Sequence, residues 1–441
     1  MAIQQFRDAV YQSLTKRAAA LMDLLDALTG ARHVDSPVAL SEEPPFRREF
    51  SSVYDALENG AIDAAALAKV LGEQQPCDSE IIAGREIYAI DATPQPRIEA
   101  ATLPDRSWLK SEKDEPARPG LKFSWLVRLV QRKPSWVAPM DVQRIATTST
   151  DTQTAVAQVQ ALDKLSTRLK VVVADSLYGN HGFLSVFLVV KSVAALVRLR
   201  QNQNLYAAPP PRVPGQRGAP RKHGPIFKLK QPSRPAARSE TFVLNGQTVQ
   251  LQAWTALHLR QLPALAGLLL RVQFVKADGT PRYKRPLWLF WTGPTDVALA
   301  DLCRMYLWRF AIEHAFRFLK QHTGLNTCRS TNPLVIEHWI WLCALAYWQL
   351  LLMRQEVDDL RPAWQPRLRD NQSLALTAGQ VQRGARRFLL ELGTPAPAAG
   401  PAGKGTGRIP GYRPKPRPRY PVVKKGPKLR KTTEIRAPAV V

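Results

Sequence analysis

Between Glu86 and Arg200 short apolar runs alternate with helical segments, and that alternation constrains the fold more than any other feature. EIYAIDAT, LKFSWLVRLV and WVAPMDVQRI are short, apolar and rich in β-branched or aromatic residues, so they read as strands. TDTQTAVAQVQALDKL reads as a helix, LKVVVADS as a further strand, GFLSVFLVVKS as a helix and AALVRLR as another strand. A chain that interleaves strands and helices in this way buries both by laying helices over a mixed or parallel sheet.

Two of these runs end on an acid. Asp91 closes IYAID and Asp175 closes VVVAD, so each carboxylate sits where an apolar strand leaves the core, the end of an open α/β sheet at which ligands collect. For either residue alone, a strand-end turn or a helix cap is the commoner use. A third acid, Glu313, lies in MYLWRFAIEHAFRFLK. At about 100° per residue, Tyr306, Arg309, Glu313, Arg317 and Lys320 fall on one stripe about 80° wide. Trp308, Ala311, Ile312, Ala315, Phe316 and Leu319 make the opposite, apolar face. The stripe on its own fits a solvated face with spaced ion pairs. Convergence of all three acids would give a different site, because carboxylates that meet need cations between them and such hard oxygen ligands suit Mg²⁺ or Mn²⁺. Two such ions about 4 Å apart support in-line phosphoryl displacement.

Charge says what such a site would serve. The 441 residues carry a formal net charge of +26, far beyond what solubility needs, and this points to a polyanion, with nucleic acid first. No signal peptide or basic amphipathic anchor opens the chain, and the apolar stretch Trp339–Met353 is shorter than a bilayer span and closely flanked by Glu337, His338 and Arg354, so a buried core helix and a soluble protein without a membrane partner are expected. Cys77, Cys303, Cys328 and Cys343 are scattered without CxxC spacing, and His314, His322 and His338 form no ligand pattern, which argues against a disulfide framework or a zinc site.

Composition divides the chain. Residues 1–80 read as a small helical domain, starting with one helix that runs through FRDAVYQSLTKRAAALMDLLDALTG to Gly30, and residues 81–200 as the first part of an α/β core. Residues 201–295 combine a Pro- and Arg-rich linker with the strand-like runs TFVLNG, VQLQAW, LLLRVQFV and PLWLFWTG, a β-rich insertion. Residues 296–392 return to helices and complete the core, and residues 393–441 form a basic, Pro-rich tail expected to lack structure until it meets a polyanion. Arg7, Lys16, Arg17, Arg47 and Arg48 offer phosphate contacts in the helical segment, which would equally serve dimerisation.

Tyr306, Arg309, Glu313 and Lys320 match without a gap the Tyr-x2-Arg-x3-Glu-x6-Lys signature of a large group of bacterial insertion-sequence transposases of the Asp-Asp-Glu type, the insertion-sequence-four superfamily, which the chain resembles. Asp91 with Thr93 meets that family's Asp-x-Ser/Thr motif, and Asp175 with Tyr178 its second motif. FRREFSSVYDAL, PRKHG and RYPVVKK extend the resemblance over most of the chain.

The resemblance implies an α/β fold in which a ribonuclease-H-like catalytic core is interrupted by a β-strand insertion domain, between a helical N-terminal domain and the basic tail. It implies that Asp91, Asp175 and Glu313 hold two Mg²⁺ or Mn²⁺ ions, and that Tyr306, Arg309, Lys320 and Arg317 meet phosphates of the element end. Arg221 and Lys222 of PRKHG are expected as further DNA contacts. In some relatives an aromatic residue of the insertion stacks on a flipped base; Trp288 and Trp291 are the local candidates, and both also fit a strand core. The implied reaction is hydrolysis of a phosphodiester at each element end followed by attack of the freed 3′-hydroxyl on target DNA. Its partners would be terminal inverted repeats and target DNA, bound by a homodimer at paired ends, in the bacterial cytoplasm at the nucleoid. A metal-dependent nuclease without strand transfer, and a DNA-binding descendant that has lost its chemistry, are the alternatives.

Overall fold

The computed structural model describes residues 2–76, 78–110, 116–212, 217–362, 364, 375–400, 407, 409–413 and 415–424. The N-terminal part contains helices α1 (Ala2–Ser13), α2 (Ala18–Gly30), α3 (Ser51–Asn59) and α4 (Ala64–Glu73), with a short ladder of β1 (Leu14–Lys16) against β2 (Ala61–Ile62). The single opening helix expected from periodicity is therefore two. Leu14–Lys16 pairs with Ala61–Ile62 and Arg17 takes the left-handed conformation at φ 52°, so the chain turns before α2 begins. Asp63 starts α4 by accepting from the backbone of Ala65 and Ala66.

A mixed sheet of thirteen strands follows. Its first members are β3 (Ile81–Ile82), β4 (Arg85–Pro96), β5 (Ser107–Leu109), β6 (Arg118–Gln131), β7 (Trp136–Arg144), β8 (Lys170–Ala174) and β9 (Val193–Arg198). Helix α5 (Asp151–Leu165), opened by a Thr150–Gln153 capping box, connects β7 to β8. GFLSVFLVVKS, expected as a full helix, contains the end of the single turn α6 (His181–Leu184) and then a 3₁₀ segment over Ser185–Leu188. Its Val and Phe residues lower helix propensity, and burial of Phe183, Val186 and Phe187 is met by this shorter form. The order β7-β6-β4-β8-β9, with β7, β6 and β4 antiparallel and β4, β8 and β9 parallel, is compatible with a ribonuclease-H-like core.

From β9 the same sheet continues. The remaining strands are β10 (Asn204–Ala207), β11 (Ile226–Lys228), β12 (Arg238–Leu244), β13 (Gln247–Leu259), β14 (Leu262–Val275) and β15 (Leu287–Trp291). They extend it in the order β9-β15-β14-β13-β10-β11, with β12 also on β13, all antiparallel. The expected β-rich segment between the second Asp and Glu313 is thus joined edge to edge to the core.

The chain returns as α7 (Leu299–Trp308), α8 (Phe310–Gln321), α9 (Pro333–Met353) and α10 (Ala378–Leu392). A turn at Arg309 separates α7 from α8 inside the stretch read as one helix, and Arg309 keeps right-handed dihedrals, so the direction of the apolar face carries across. Trp308, Ala311, Ile312, Ala315, Phe316 and Leu319 are all buried. Helix α9 is long and apolar enough to cross a membrane by length and composition, but most of its surface lies inside the protein, between α2 and β7. Phe6 of α1 stacks on its Trp348 at 5.4 Å, and Gly30 at the end of α2 meets α10 so closely that a Cβ there would lie 3.0 Å from that of Arg386. Helices α1–α4 consequently share one core with α9 and α10 instead of closing their own.

The tail also differs from expectation in its described part. Residues 420–423 lie against the segment that leads into β5 and bridge to its edge at Val423: Tyr420 donates to Ala101, Val423 donates to Arg106, and Trp108 donates to Val423. These bonds are all made by the backbone, so the segment pairs with the edge although the Tyr420 and Val423 side chains stay exposed. Residues 425–441 lie outside the described residues, as does Cys77.

Candidate active site

The β4–β8 ladder is parallel and ends with Ile90 opposite Ala174, so the next residues of the two strands are Asp91 and Asp175. Neighbouring strands lie about 4.8 Å apart, which makes the acids lateral neighbours at the same end of the sheet. Both also do local work. Asp91 Oδ1 accepts from the Ala92 amide at 2.8 Å, and Asp175 Oδ1 from the Leu177 amide at 2.8 Å in the turn that leads to Tyr178.

Helix α8 brings the third acid. Arg309 Nη2 donates to Glu313 Oε1 at 2.6 Å, and its Nη1 lies 3.5 Å from Asp91 Oδ2. One buried guanidinium thus spans two of the three acids. The ring of Phe310 lies 5.1 Å from it and that of Tyr306 6.0 Å. Tyr306 is buried, Glu313 and Lys320 are half-buried, and Arg317 is exposed, so the stripe reaches solvent most fully at Arg317.

Electrostatics follow from this packing. Burial pushes the Asp91 carboxyl up to about 6; the Ala92 amide and Arg309 oppose the rise, and Asp175 and Glu313 add to it. The 23% of its side chain still open to water limits how far burial acts. Burial would lower the pKa of Arg309, but Tyr306, Asp91 and Glu313 outweigh it and the net shift is upward. Burial, then the charges of Asp91, Asp151 and Asp175, hold the Tyr178 hydroxyl neutral, against a smaller opposing influence from the Ser124 side chain.

Among the described residues no three His, Cys, Asp or Glu side chains form a group that could hold a metal ion. The expected convergence of Asp91, Asp175 and Glu313 on an ion is not reached as folded, because Arg309 stands as the cation between two of them. The donor chemistry nonetheless fits: Asp91 and Glu313 flank a cation position, and Asp175 lies close enough to act on the Asp91 carboxyl, three hard oxygen ligands of the kind that suits Mg²⁺ or Mn²⁺.

Other sequence candidates fall elsewhere. Trp288 and Trp291 are buried, Trp288 against Trp254 at 5.6 Å and Trp291 with its Nε1 donating to Pro294 at 2.7 Å, so they are core residues with no face for a base. Arg221 and Lys222 are exposed, in the loop before β11, seven strand positions along the sheet from β4 and therefore remote from the acids. Arg7 is buried on Asp26, Arg47 and Arg48 both hold Asp23, and Arg17 holds Asp55, so these N-terminal cations serve the fold. Reasoning from sequence did not single out Asp151, which pairs with Lys122 and acts on Tyr178 beside the acids. Only its place in a helix-capping Thr-Ser-Thr-Asp run marks it, and that run is explained by the helix start.

A family model described as DDE superfamily endonuclease matches residues 9–262, over half of the chain. The span takes in Asp91 and Asp175 and stops before Glu313. No curated protein matches the chain.

Proposed function

The chain belongs to the DDE superfamily of endonucleases, and we propose that it is a transposase of the Tyr-Arg-Glu-Lys type that cleaves the ends of an insertion sequence and joins the freed 3′-hydroxyl to target DNA. The observation that carries this reading is the register of β4 on β8, which sets Asp91 beside Asp175, together with the Arg309 bridge that ties Glu313 to Asp91.

Endonucleases of this superfamily typically use divalent metal ions. Asp91, Asp175 and Glu313 would hold Mg²⁺ or Mn²⁺, which would supply Lewis-acid polarisation of the phosphodiester and of the attacking water or hydroxyl. The chain's own groups prepare for this. Arg309 holds Glu313 and Asp91 together while the acids lack an ion, offsetting their mutual repulsion. Its guanidinium can transfer to a DNA phosphate, a geometry Arg suits by bidentate donation. Tyr306 walls Arg309 from one side, and Arg317 and Lys320, about two and three turns beyond it on α8, extend the cationic track. The neutral Tyr178 hydroxyl supplies a buried donor beside the acids.

The test is cleavage and strand transfer on the element's own ends with Mg²⁺, comparing wild type with Asp91→Ala, Asp175→Ala and Glu313→Gln. Loss of both steps in all three variants, with end binding kept, supports the proposal. Cutting without joining favours a nuclease. End binding by wild type without metal-dependent cutting favours a DNA-binding descendant.

A further inference from the structure

Beyond the acids, β4 continues from Asp91 to Pro96 and Arg97, six residues that carry the chain on the order of 20 Å along the strand. There a pocket of about 370 Å³ opens where α3, the loop before α9 and the C-terminal strap meet. Tyr54, Leu57 and Glu58 of α3 line it, with Arg329, Val335 and Arg417. The strap is held in place because Arg417 Nη1 donates to Thr331 Oγ1 at 2.9 Å and Val423 beyond it bridges to the edge of β5.

Three features define the ligand. The walls are mainly apolar, and Tyr54 presents an aromatic side chain that is 52% exposed, the surface on which a base stacks. Two arginines from different segments, Arg329 and Arg417, supply positive charge, and Glu58 supplies an acceptor for an exocyclic amine. Beneath them, close to Cys328 and Arg329, lies the guanidinium of Arg97, 4% exposed, with Nε and Nη2 lacking any partner among the described residues. A buried guanidinium with two unpartnered nitrogens behind the wall at Cys328 and Arg329 adds to the positive potential there. The volume is near the lower end of the roughly 300–1,000 Å³ span of small-ligand sites, room for one nucleotide and not for a stacked pair.

We propose that this pocket receives a single unstacked nucleotide of the bound DNA, with its base against Tyr54 and Leu57 and its phosphate between Arg329 and Arg417. The proposal rests on the DNA-directed reading above and adds a contact several base steps away from the acids, made by a residue of α3, the loop before α9 and the C-terminal strap together. A duplex backbone alone would need an open basic ridge, and a peptide ligand would leave both arginines and Arg97 without a phosphate.

The experiment is a fluorescence-anisotropy titration in EDTA, so that no cleavage enters, with two labelled duplexes that differ only by one unpaired adenine. Wild type should prefer the bulged duplex by about tenfold, the size of one base-stacking contact. Tyr54→Ala, which removes the stacking ring, and Ser330→Trp, which fills the pocket, should each bring that ratio toward one, whereas Tyr54→Phe should keep it. Arg329→Gln should lower the ratio in part and reduce its salt dependence. Equal binding of the two duplexes by wild type, or a preference that survives both Tyr54→Ala and Ser330→Trp, overturns the proposal. Tyr54 is exposed, so its variants report on the pocket without disturbing the core. Binding of the uninterrupted duplex reads the DNA-directed function separately, and the ratio reads the pocket.

Discussion

The Arg309 guanidinium donates to Glu313 Oε1 at 2.6 Å and through its other terminal nitrogen stands 3.5 Å from Asp91, so a cation already sits where the acids need one. An ion and this guanidinium compete for the same oxygens. Arg309→Met should therefore raise the affinity for Mn²⁺ in the absence of DNA by several-fold, measured by calorimetry, and lower the thermal midpoint of the ion-free protein, with Mn²⁺ restoring it. Unchanged Mn²⁺ affinity would show that Arg309 does not compete at the site.

Glu313→Gln keeps size and removes charge. Because Glu313 is half-exposed, loss of its ion pair with Arg309 should cost under about 1 kcal/mol of stability. Cleavage should fall to background while end binding stays within about twofold of wild type, the mark of an interaction needed in the reaction and not for association. Unfolding, or cutting at the normal rate, would remove Glu313 from the site.

Lys320→Ala should act on binding instead. Losing one phosphate contact would weaken affinity for cleaved ends and flatten the slope of log K against log salt by about one. The check is a titration over several salt concentrations; an unchanged slope excludes a phosphate contact.

A pH effect is expected at the far side of the sheet. His223 Nδ1 and His258 Nε2 lie 3.0 Å apart, and both rings stack near Tyr206, at 5.0 and 6.2 Å. Burial, then the neighbouring His223, lowers the His258 pKa. The unfolded chain thus takes up a proton at His258 before the folded one does, and stability is complete above the unfolded value of 6.5 and lost as pH falls below it toward the folded value. His258→Phe should flatten the fall in thermal midpoint between pH 7 and pH 5. An equal fall in both proteins would place the effect elsewhere.

Phe6→Ala tests whether α1–α4 are part of the common core. Removing a buried aromatic from its stack on Trp348 should cost about 3–5 kcal/mol. Denaturant unfolding followed through α9 tryptophans and through far-ultraviolet ellipticity should shift together. A separate early transition in ellipticity alone would mean that residues 1–80 unfold as an independent domain.

Local patterns carried much of what was legible in the sequence. The apolar runs that became β4, β6, β7, β8 and β9, the apolar face of α7 and α8, and the strand-end positions of Asp91 and Asp175 all depend on periodicity within a dozen residues, a range over which side-chain alternation decides burial. Other features depend on pairing between distant segments. That β4 lies beside β8 in register, that β15 adds its edge to β9 and buries Trp288 and Trp291, that Arg309 falls between Asp91 and Glu313, and that Val423 bridges to the edge of β5 were all decided by tertiary structure. The sequence by itself determined which residues had to leave water and which carried charge. Only the folded chain decided which charges meet, because a carboxylate's partner is set by the packing of elements more than two hundred residues apart, as Asp91 and Arg309 are.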